Sequence, residues 1–396
     1  MNILFITHRN VNPHIGGIER VTYDLVIAFK KQNLGCYSAY LEQYKCDLSE
    51  EKIFERENLI PQENRKEFFF KLIQEFDIRI VIAQGSDDSV NGVMSDLSSA
   101  VKSQKNSKLI FSFHTMPGFE QTEMNKDVLL YGILHGENIV YNAKYLLYHF
   151  LKPILKRYIQ SKLIPKYRNP YLLSDRVVVL NEKYRETYAK CADVKCTDKI
   201  CSIPNIYMPQ TENNIAYEKK EKMFLWVGRF DERAKRLSLA LKVWKSLEKD
   251  VEDWTFRIVG YGENESYYRT YVESNKLKNV FFEGFQNPFS YYKRASVFLM
   301  TSAYEGFPMV LLEALGMGVI PICFDSFTSL YDIIDDGENG FIVKNDKIEQ
   351  YCEKVKLLMA NENLRERMSQ NARSTVERFN EGKIVPKWIN LFDNLK

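Results

Sequence analysis

Short apolar runs alternate along the chain with amphipathic stretches of helical length. Residues 3–7, 78–83, 109–113 and 176–180 are β-rich runs, and a helical period runs from Ile18 through Leu25 to Phe29, with another starting at Glu182. Near Ile203-Pro204-Asn205 this pattern stops. Residues 208–222 are polar, charged and without a clear period, as an interdomain linker is. A second set follows, with strands at 223–227, 255–259, 280–283, 297–300, 320–324 and 340–343, helices at 237–247 and 310–315, and helical patterns to the end. Such alternation predicts parallel sheets covered by helices, and a chain of 396 residues is too long for one ordinary core. The expected fold class is α/β, two Rossmann-like doubly wound parallel-sheet domains facing an interdomain cleft. Their expected bounds are 1–207 and 223–376, joined by the linker 208–222, with a final segment at 377–396.

Composition narrows the function classes. The chain has 55 basic and 52 acidic residues, a net charge of +3, so no global field points to nucleic acid. The opening run Met1-Asn2-Ile3-Leu4-Phe5-Ile6 meets Arg9 too soon for a secretory leader, and no later stretch offers eighteen apolar residues in succession. A cytoplasmic location is expected. Seven cysteines in that setting read as free thiols. Cys191, Cys196 and Cys201 are five apart, without the paired spacing of zinc sites or a nearby histidine, so no metal is expected there and the three read as a loop and strand-edge feature.

Candidate chemistry gathers where strands end. The run Ser302-Ala303-Tyr304-Glu305-Gly306-Phe307-Pro308 passes from a buried strand into a helix carrying Glu313, eight residues after Glu305. Pro308 suits the first helical position, and the amides after it would carry the positive end of the helix dipole, a cradle for phosphate or hydroxyls. An ordinary turn with one surface and one ion-paired glutamate is the alternative. Arg229 follows another strand and Lys235 comes six residues later, so both cations project from one strand-to-helix connection. Arginine matches phosphate oxygens in pairs, lysine acts as a point charge, and carboxylates suit vicinal diols. A nucleotide-sugar carries all of these groups. Gly16-Gly17 precedes the first helix, where backbone could approach an anion or simply turn, and His114 sits at the end of the strand 109–113, able to touch a ligand or to be a satisfied structural histidine. A nicotinamide enzyme is the rival reading, since Gly260-Tyr261-Gly262 follows a strand and Glu283 ends the next, but Glu265 stands where the third glycine belongs.

Between residues 141 and 168 there are seven basic residues and no acidic one. Lys152, Lys156, Arg157 and Lys162 are interleaved with aromatic and aliphatic side chains, as in a helix that lies on an anionic bilayer. Core-facing helices with a solvated basic side, broken near Pro153 and Pro165, are the plainer alternative.

In this order, Gly16-Gly17, His114, Ile203-Pro204-Asn205, Val227-Gly228-Arg229 with Lys235, Val259-Gly260-Tyr261-Gly262, and Glu305-Gly306-Phe307-Pro308 with Glu313 resemble glycosyltransferase family 4, retaining sugar-nucleotide-dependent transferases of the GT-B fold. The resemblance implies a hexosyltransferase using a UDP- or GDP-sugar, with no metal or other cofactor. Arg229 and Lys235 would hold the diphosphate and stabilise its growing charge. Glu305, with the backbone from Gly306 and Phe307 to Met309 and Val310, would position the transferred sugar. Glu313 would hold the ribose diol, Gly16-Gly17 would admit phosphate, and His114 would contact the sugar near the reacting carbon. The implied acceptor is lipid-linked or a glycan, at the inner face of the plasma membrane. The chain departs from the family after residue 324, where Asp325 to Asp332 replace a glycine pair and glutamate, wording shared with transferases of capsule, O-antigen or lipopolysaccharide glycans. Asn205 also lacks its usual glycine. The final helix is expected to return to the first domain on Trp388, Leu391 and Phe392. A catalytically idle GT-B scaffold that binds a nucleotide-sugar or a membrane is the alternative of another class.

Overall fold

The computed structural model describes residues 1–44, 52–85, 88–122, 124–209, 220–247 and 253–395. They form two compact units, one of Met1–Gly118, Arg157–Met208 and Arg378–Lys396, the other of Phe119–Lys156 and Pro209–Glu377.

Up to residue 202 the elements are β1 (Asn2–Arg9), α1 (Gly17–Lys31), β2 (Gly35–Glu42), β3 (Arg56–Leu59), α2 (Arg65–Glu75), β4 (Ile78–Gly85), α3 (Asp88–Asn91), α4 (Met94–Lys102), β5 (Lys108–Phe113), α5 (Lys126–Leu134), α6 (Ile139–Leu173), β6 (Arg176–Val179), α7 (Lys183–Ala192) and β7 (Ile200–Ser202). The first unit's sheet has the order β3-β2-β1-β4-β5-β6-β7, with parallel pairing throughout. Continuous apolar runs suit strands covered on both faces: Ile3, Leu4, Phe5 and Ile6 are each fully buried. Strands β2, β3 and β7 were not legible in the apolar pattern. The edge strand β3 reads Arg-Glu-Asn-Leu and is mostly exposed, so it has little apolar face to show.

The second unit continues with β8 (Met223–Val227), α8 (Leu237–Ser246), β9 (Thr255–Val259), α9 (Glu265–Ser274), β10 (Val280–Gly284), α10 (Phe289–Arg294), β11 (Val297–Met300), α11 (Met309–Gly316), β12 (Ile320–Asp325), α12 (Leu330–Ile333), β13 (Phe341–Lys344), α13 (Ile348–Ala360) and α14 (Glu362–Thr375). Its six parallel strands run β10-β9-β8-β11-β12-β13. The order reverses between β8 and β11, which is where open doubly wound sheets bind ligands.

Chain order alone assigned residues 1–207 to the first domain, but 119–156 pack with the second unit. Met124, Val128 and Leu129 join its apolar cluster, and Tyr131 stands edge-on to Tyr267 at 5.1 Å between centroids. Most of the expected linker, 210–219, lies outside the described residues, while Lys220 already donates to the carbonyls of Tyr292 at 2.7 Å and Lys293 at 2.9 Å. Helix α15 (Glu381–Asp393) packs on α1, where Trp388 and Phe392 meet Phe29 at 6.3 and 5.7 Å between ring centroids.

Helix α6 is one unbroken element through Pro153 and Pro165, where the sequence reading placed breaks. A proline inside a helix frees the carbonyl four residues back. Such groups can be satisfied from outside: Asn91 Nδ2 donates at 3.2 Å to the carbonyl of Lys166, which Pro170 leaves open.

Candidate active site

Two loops leave the carboxyl ends of the paired strands β8 and β11, one at 228–236 and one at 301–308. The first is shaped by close backbone contact. Gly260 and Gly262 have φ of 149° and 156°, and a Cβ at Gly260 would come within 1.8 Å of the Gly228 carbonyl oxygen. Phe230 N donates to Tyr261 O at 2.7 Å, and Gly228 N to Val259 O at 3.1 Å. The Gly-Tyr-Gly run therefore serves the packing of the cation loop, which removes its value as a dinucleotide signal. Glu283, the ribose ligand of that rival reading, is held by Arg257 at 2.7 Å and accepts from the Tyr291 hydroxyl at 3.0 Å.

Asp231 turns the first loop. Its Oδ1 accepts from Arg233 N at 3.1 Å and Ala234 N at 3.3 Å, and its carbonyl accepts from Lys235 N at 2.7 Å. The two loops are then joined. Ala303 N donates to Ala234 O at 2.8 Å, and Thr301 Oγ1 donates to Lys235 O at 2.9 Å. Arg236 Nε donates to Thr301 O at 2.8 Å and its NH2 to Ser302 O at 2.9 Å, while NH1 reaches Asp346 at 2.8 Å. Arg236 adopts φ of 48°, a left-handed conformation unusual outside glycine, and its side chain is only 11% exposed.

Across this junction Lys235 Nζ meets Glu305 Oε1 at 2.5 Å, and Ser302 Oγ donates to the same oxygen at 2.7 Å. The sequence reading placed the two residues in one sheet; the structure brings their charges into contact. With exposures of 21% and 13%, the pair is shielded enough for its charges to act strongly. Arg229 stands apart, 70% exposed and 3.6 Å from Asp231. Pro308 is the N-cap of α11, in extended conformation with φ of −71°, so the helix begins at Met309, one residue after the position the sequence suggested. Gly306, Phe307 and Met309 are buried and Val310 partly so, which leaves their backbone as the part of them a ligand could use. Glu313 lies on α11 with the buried Tyr292 hydroxyl 3.2 Å from its Oε2 and 3.3 Å from Val310 O.

Two side chains that the sequence reading passed over support the cation loop from below. Glu232 is fully buried, accepting from the Ser238 hydroxyl, Ser238 N at 3.2 Å, the Tyr268 hydroxyl at 2.9 Å and Asn125 at 3.4 Å. Burial raises its pKa against the effect of those donors. Arg233 contacts the Tyr145 hydroxyl and donates to Glu120 O at 3.2 Å. Ser238 and Tyr268 account for most of the partners of Glu232, and residues 119–156 add Asn125 to Glu232 and both partners of Arg233.

In the first unit Gly16 is extended at φ −174° and Gly17 opens α1. A Cβ on Gly17 would meet no described atom within 4 Å, and one on Gly16 only the carboxylate of Glu19, so packing within the protein does not demand either glycine. His114 caps β5, its amide donating to Gly85 O at 3.2 Å and its Nε2 lying 3.1 Å from Ser112 Oγ. Burial lowers its pKa to about 4, which makes the ring neutral at physiological pH. Asn12, missed in the sequence, is 1% exposed; its Oδ1 accepts from His14 N at 3.0 Å, and its Nδ2 has no partner among the described residues.

The basic run is less uniform than its spacing suggested. Lys152 Nζ donates to Gln121 O at 2.6 Å, so this ammonium is spent on the protein's own backbone. Lys162 is exposed beside Tyr158, and the side chains of Lys156 and Arg157 lie outside the described ones. Cys191, Cys196 and Cys201 carry free thiols at the end of α7, in the following loop and in β7, and burial raises the Cys201 pKa to about 11. Among the described residues no group of three His, Cys, Asp or Glu has the geometry to hold a metal ion.

Two doubly wound parallel units, the second with its cation and carboxylate loops at the switch point, are the architecture of the GT-B class. Solved structures agree on the fold: the chain aligns over 99% of its length with all of a TarM variant from S. aureus, solved with UDP, at TM-score 0.74 and 15% identity. Residues 209–375 match the family described as glycosyl transferases group 1. Among curated proteins, an uncharacterized glycosyltransferase of Haemophilus influenzae is 30% identical over 218 residues, 54% of this chain and 60% of its own length. An α-1,4-N-acetyl-D-galactosaminyltransferase of Campylobacter jejuni, named for an undecaprenol-linked diphosphate acceptor, is 27% identical over 62% of this chain and 66% of its own. The chain thus spans less than two thirds of the length of these relatives.

Proposed function

We propose that the protein is a retaining glycosyltransferase that moves a hexose from a UDP- or GDP-sugar to a lipid-linked or polysaccharide acceptor in the synthesis of a bacterial surface glycan. The observation that carries this reading is the Lys235–Glu305 contact, held at the carboxyl ends of β8 and β11 by bonds between their two loops. Relatives whose names or structures include UDP and undecaprenol-linked glycans support the donor and acceptor classes.

In this reading Lys235 and Arg229 hold the donor's diphosphate. As the glycosidic bond breaks, negative charge grows on the leaving phosphate, and fixed cations stabilise it without reorganising. Glu305 is oriented by Lys235 and Ser302, suited to accept from sugar hydroxyls. Amides at the start of α11 add donors at the same loop. Glu313, fixed by Tyr292, takes the ribose diol. The incoming acceptor attacks on the face that the phosphate leaves, and a departing phosphate oxygen receives the acceptor proton. On the first unit, neutral His114 offers a ring nitrogen to the sugar, and Gly16-Gly17 leaves room for phosphate. A lipid-linked acceptor would put the reaction at the inner face of the plasma membrane.

Release of nucleoside diphosphate from UDP- and GDP-sugars, with and without acceptor, tests the proposal. Lys235→Ala and Glu305→Ala should each lower turnover by at least about a hundredfold with unchanged thermal melting. Near-full activity in either variant would remove the assignment. Failure of the unaltered chain to hydrolyse or transfer from any such donor would favour the idle scaffold.

A further inference from the structure

We infer that the outer face of the α5–α6 hairpin is a docking surface for an anionic lipid bilayer, in which apolar side chains, and not the basic run alone, make the contact. The inference stands on this surface and does not depend on the proposed chemistry.

Along the first half of α6, Val140, Leu147 and Ile154 recur at seven-residue spacing, and they are 83%, 60% and 79% exposed. Phe150 lies on the same side at 66%, and on α5 Leu134 is 71% exposed. At 3.6 residues per turn the four α6 side chains form one stripe. The opposite face is taken: Asn142 is buried, Tyr145 contacts Arg233, and Lys152 reaches Gln121. A contiguous band of large aliphatic and aromatic side chains facing water marks an interaction surface.

Charge selects the occupant. Helix α6 contains no aspartate or glutamate, and exposed Lys144 borders the stripe. Acidic groups nearby are paired within the unit, Asp127 with Lys242 at 3.6 Å and Glu137 with the Ser266 hydroxyl. A second copy docked face to face would set the lysines of α6 against each other, with no acid on that helix to offset them. An anionic headgroup layer complements the lysines, and its acyl boundary takes the stripe. No helix among the described residues is long and apolar enough to cross a membrane, so the hairpin would lie along the surface.

The full chain, without donor or acceptor, should co-float with vesicles of phosphatidylglycerol and phosphatidylethanolamine and bind phosphatidylcholine vesicles less. Leu147→Glu with Ile154→Glu should lower binding by about tenfold or more, with thermal melting unchanged because both side chains are already in water. In Ile154→Trp, emission from the new indole should shift to the blue on vesicle addition, read as a difference from the unaltered chain. Absence of binding to anionic vesicles, or an unshifted emission, would overturn the inference. Concentration-dependent dimerisation abolished by the double glutamate variant, without vesicle binding, would overturn it in favour of a second copy.

Discussion

Replacing Arg236 separates the support of the site from its chemistry. The guanidinium gives one bond each to Thr301 O and Ser302 O, both on buried residues, and reaches Asn345 and Asp346 at the rim. Charge-assisted bonds of this kind contribute about 1.5–3 kcal/mol each, whereas the rim pair with 61%-exposed Asp346 adds about 1 or less. Ser302 O keeps the Ser326 hydroxyl at 2.5 Å, so its loss is the milder of the two. Against these stands the left-handed backbone, which costs a non-glycine residue about 1 kcal/mol. Arg236→Gly should therefore lose about 3 kcal/mol, and Arg236→Ala, which keeps the strain, about 1 more. Urea unfolding measures both. The same substitutions loosen the junction that sets Lys235 against Glu305, so donor hydrolysis should fall by about tenfold or more in kcat in the surviving folded fraction. An Arg236→Gly protein with unaltered stability and turnover would refute the argument, and so would Ala equalling Gly in stability.

Other expectations are simpler. Gly260→Ala should destabilise by several kcal/mol, on the order of 3 or more, since its Cβ would overlap the Gly228 carbonyl at 1.8 Å and its φ is 149°; a melting temperature within a degree of the parent would contradict this. If Glu313 takes the ribose diol as proposed, Glu313→Ala should raise the KM for the nucleotide donor more than it lowers kcat, read in initial-rate kinetics, because such a contact is made equally before and during the transition state. His114 should titrate near 4 where an unfolded histidine titrates near 6.5. Between those values the unfolded chain binds more protons, so this stabilisation is present above about 6.5 and lost as pH falls toward 4, by at most about 3 kcal/mol; His114→Gln should flatten the stability-pH profile there, and an unchanged slope would reject the assignment.

How much of this was legible in the sequence depends on what each residue touches. The strands β1, β4, β5, β8, β9 and β11 show as apolar runs because both of their faces are covered. Glu305 and Lys235 could be named from their places after strands, yet their contact could not, since the bonds that align their loops come from backbone atoms of Lys235, Thr301 and Ser302. Arg236 was hidden for a related reason: a third basic residue after Arg233 and Lys235 resembles ordinary solvated charge until its left-handed φ and burial are seen. Residues 119–156 misled in the opposite sense. Their position in the chain argued for the first domain, whereas Val128, Leu129 and Tyr131 argue through packing for the second.

That placement has a mechanical consequence within the second unit. Residues 228–236 are gripped from two directions. From the β11 side come the bonds of Thr301 and Ala303; from 119–156 come Asn125 to Glu232, and Tyr145 and Glu120 to Arg233. Glu232 and Arg233 lie two to three residues from Lys235, too few for the loop to relax independently at its two ends. Tyr145 holds Arg233 from one face of α6 while Leu147 and Ile154 present the opposite face to water. A force or a lipid surface acting on that outer face thus has a short, packed route to the loop that carries Lys235, made of one helix and two side-chain contacts. Tyr145→Phe cuts one contact of the route without touching Lys235, Glu305 or the outer stripe. If vesicles raise turnover in the parent, they should raise it by a smaller factor in this variant, while vesicle binding stays unchanged; equal fold-stimulation in both would show that docking and catalysis are independent.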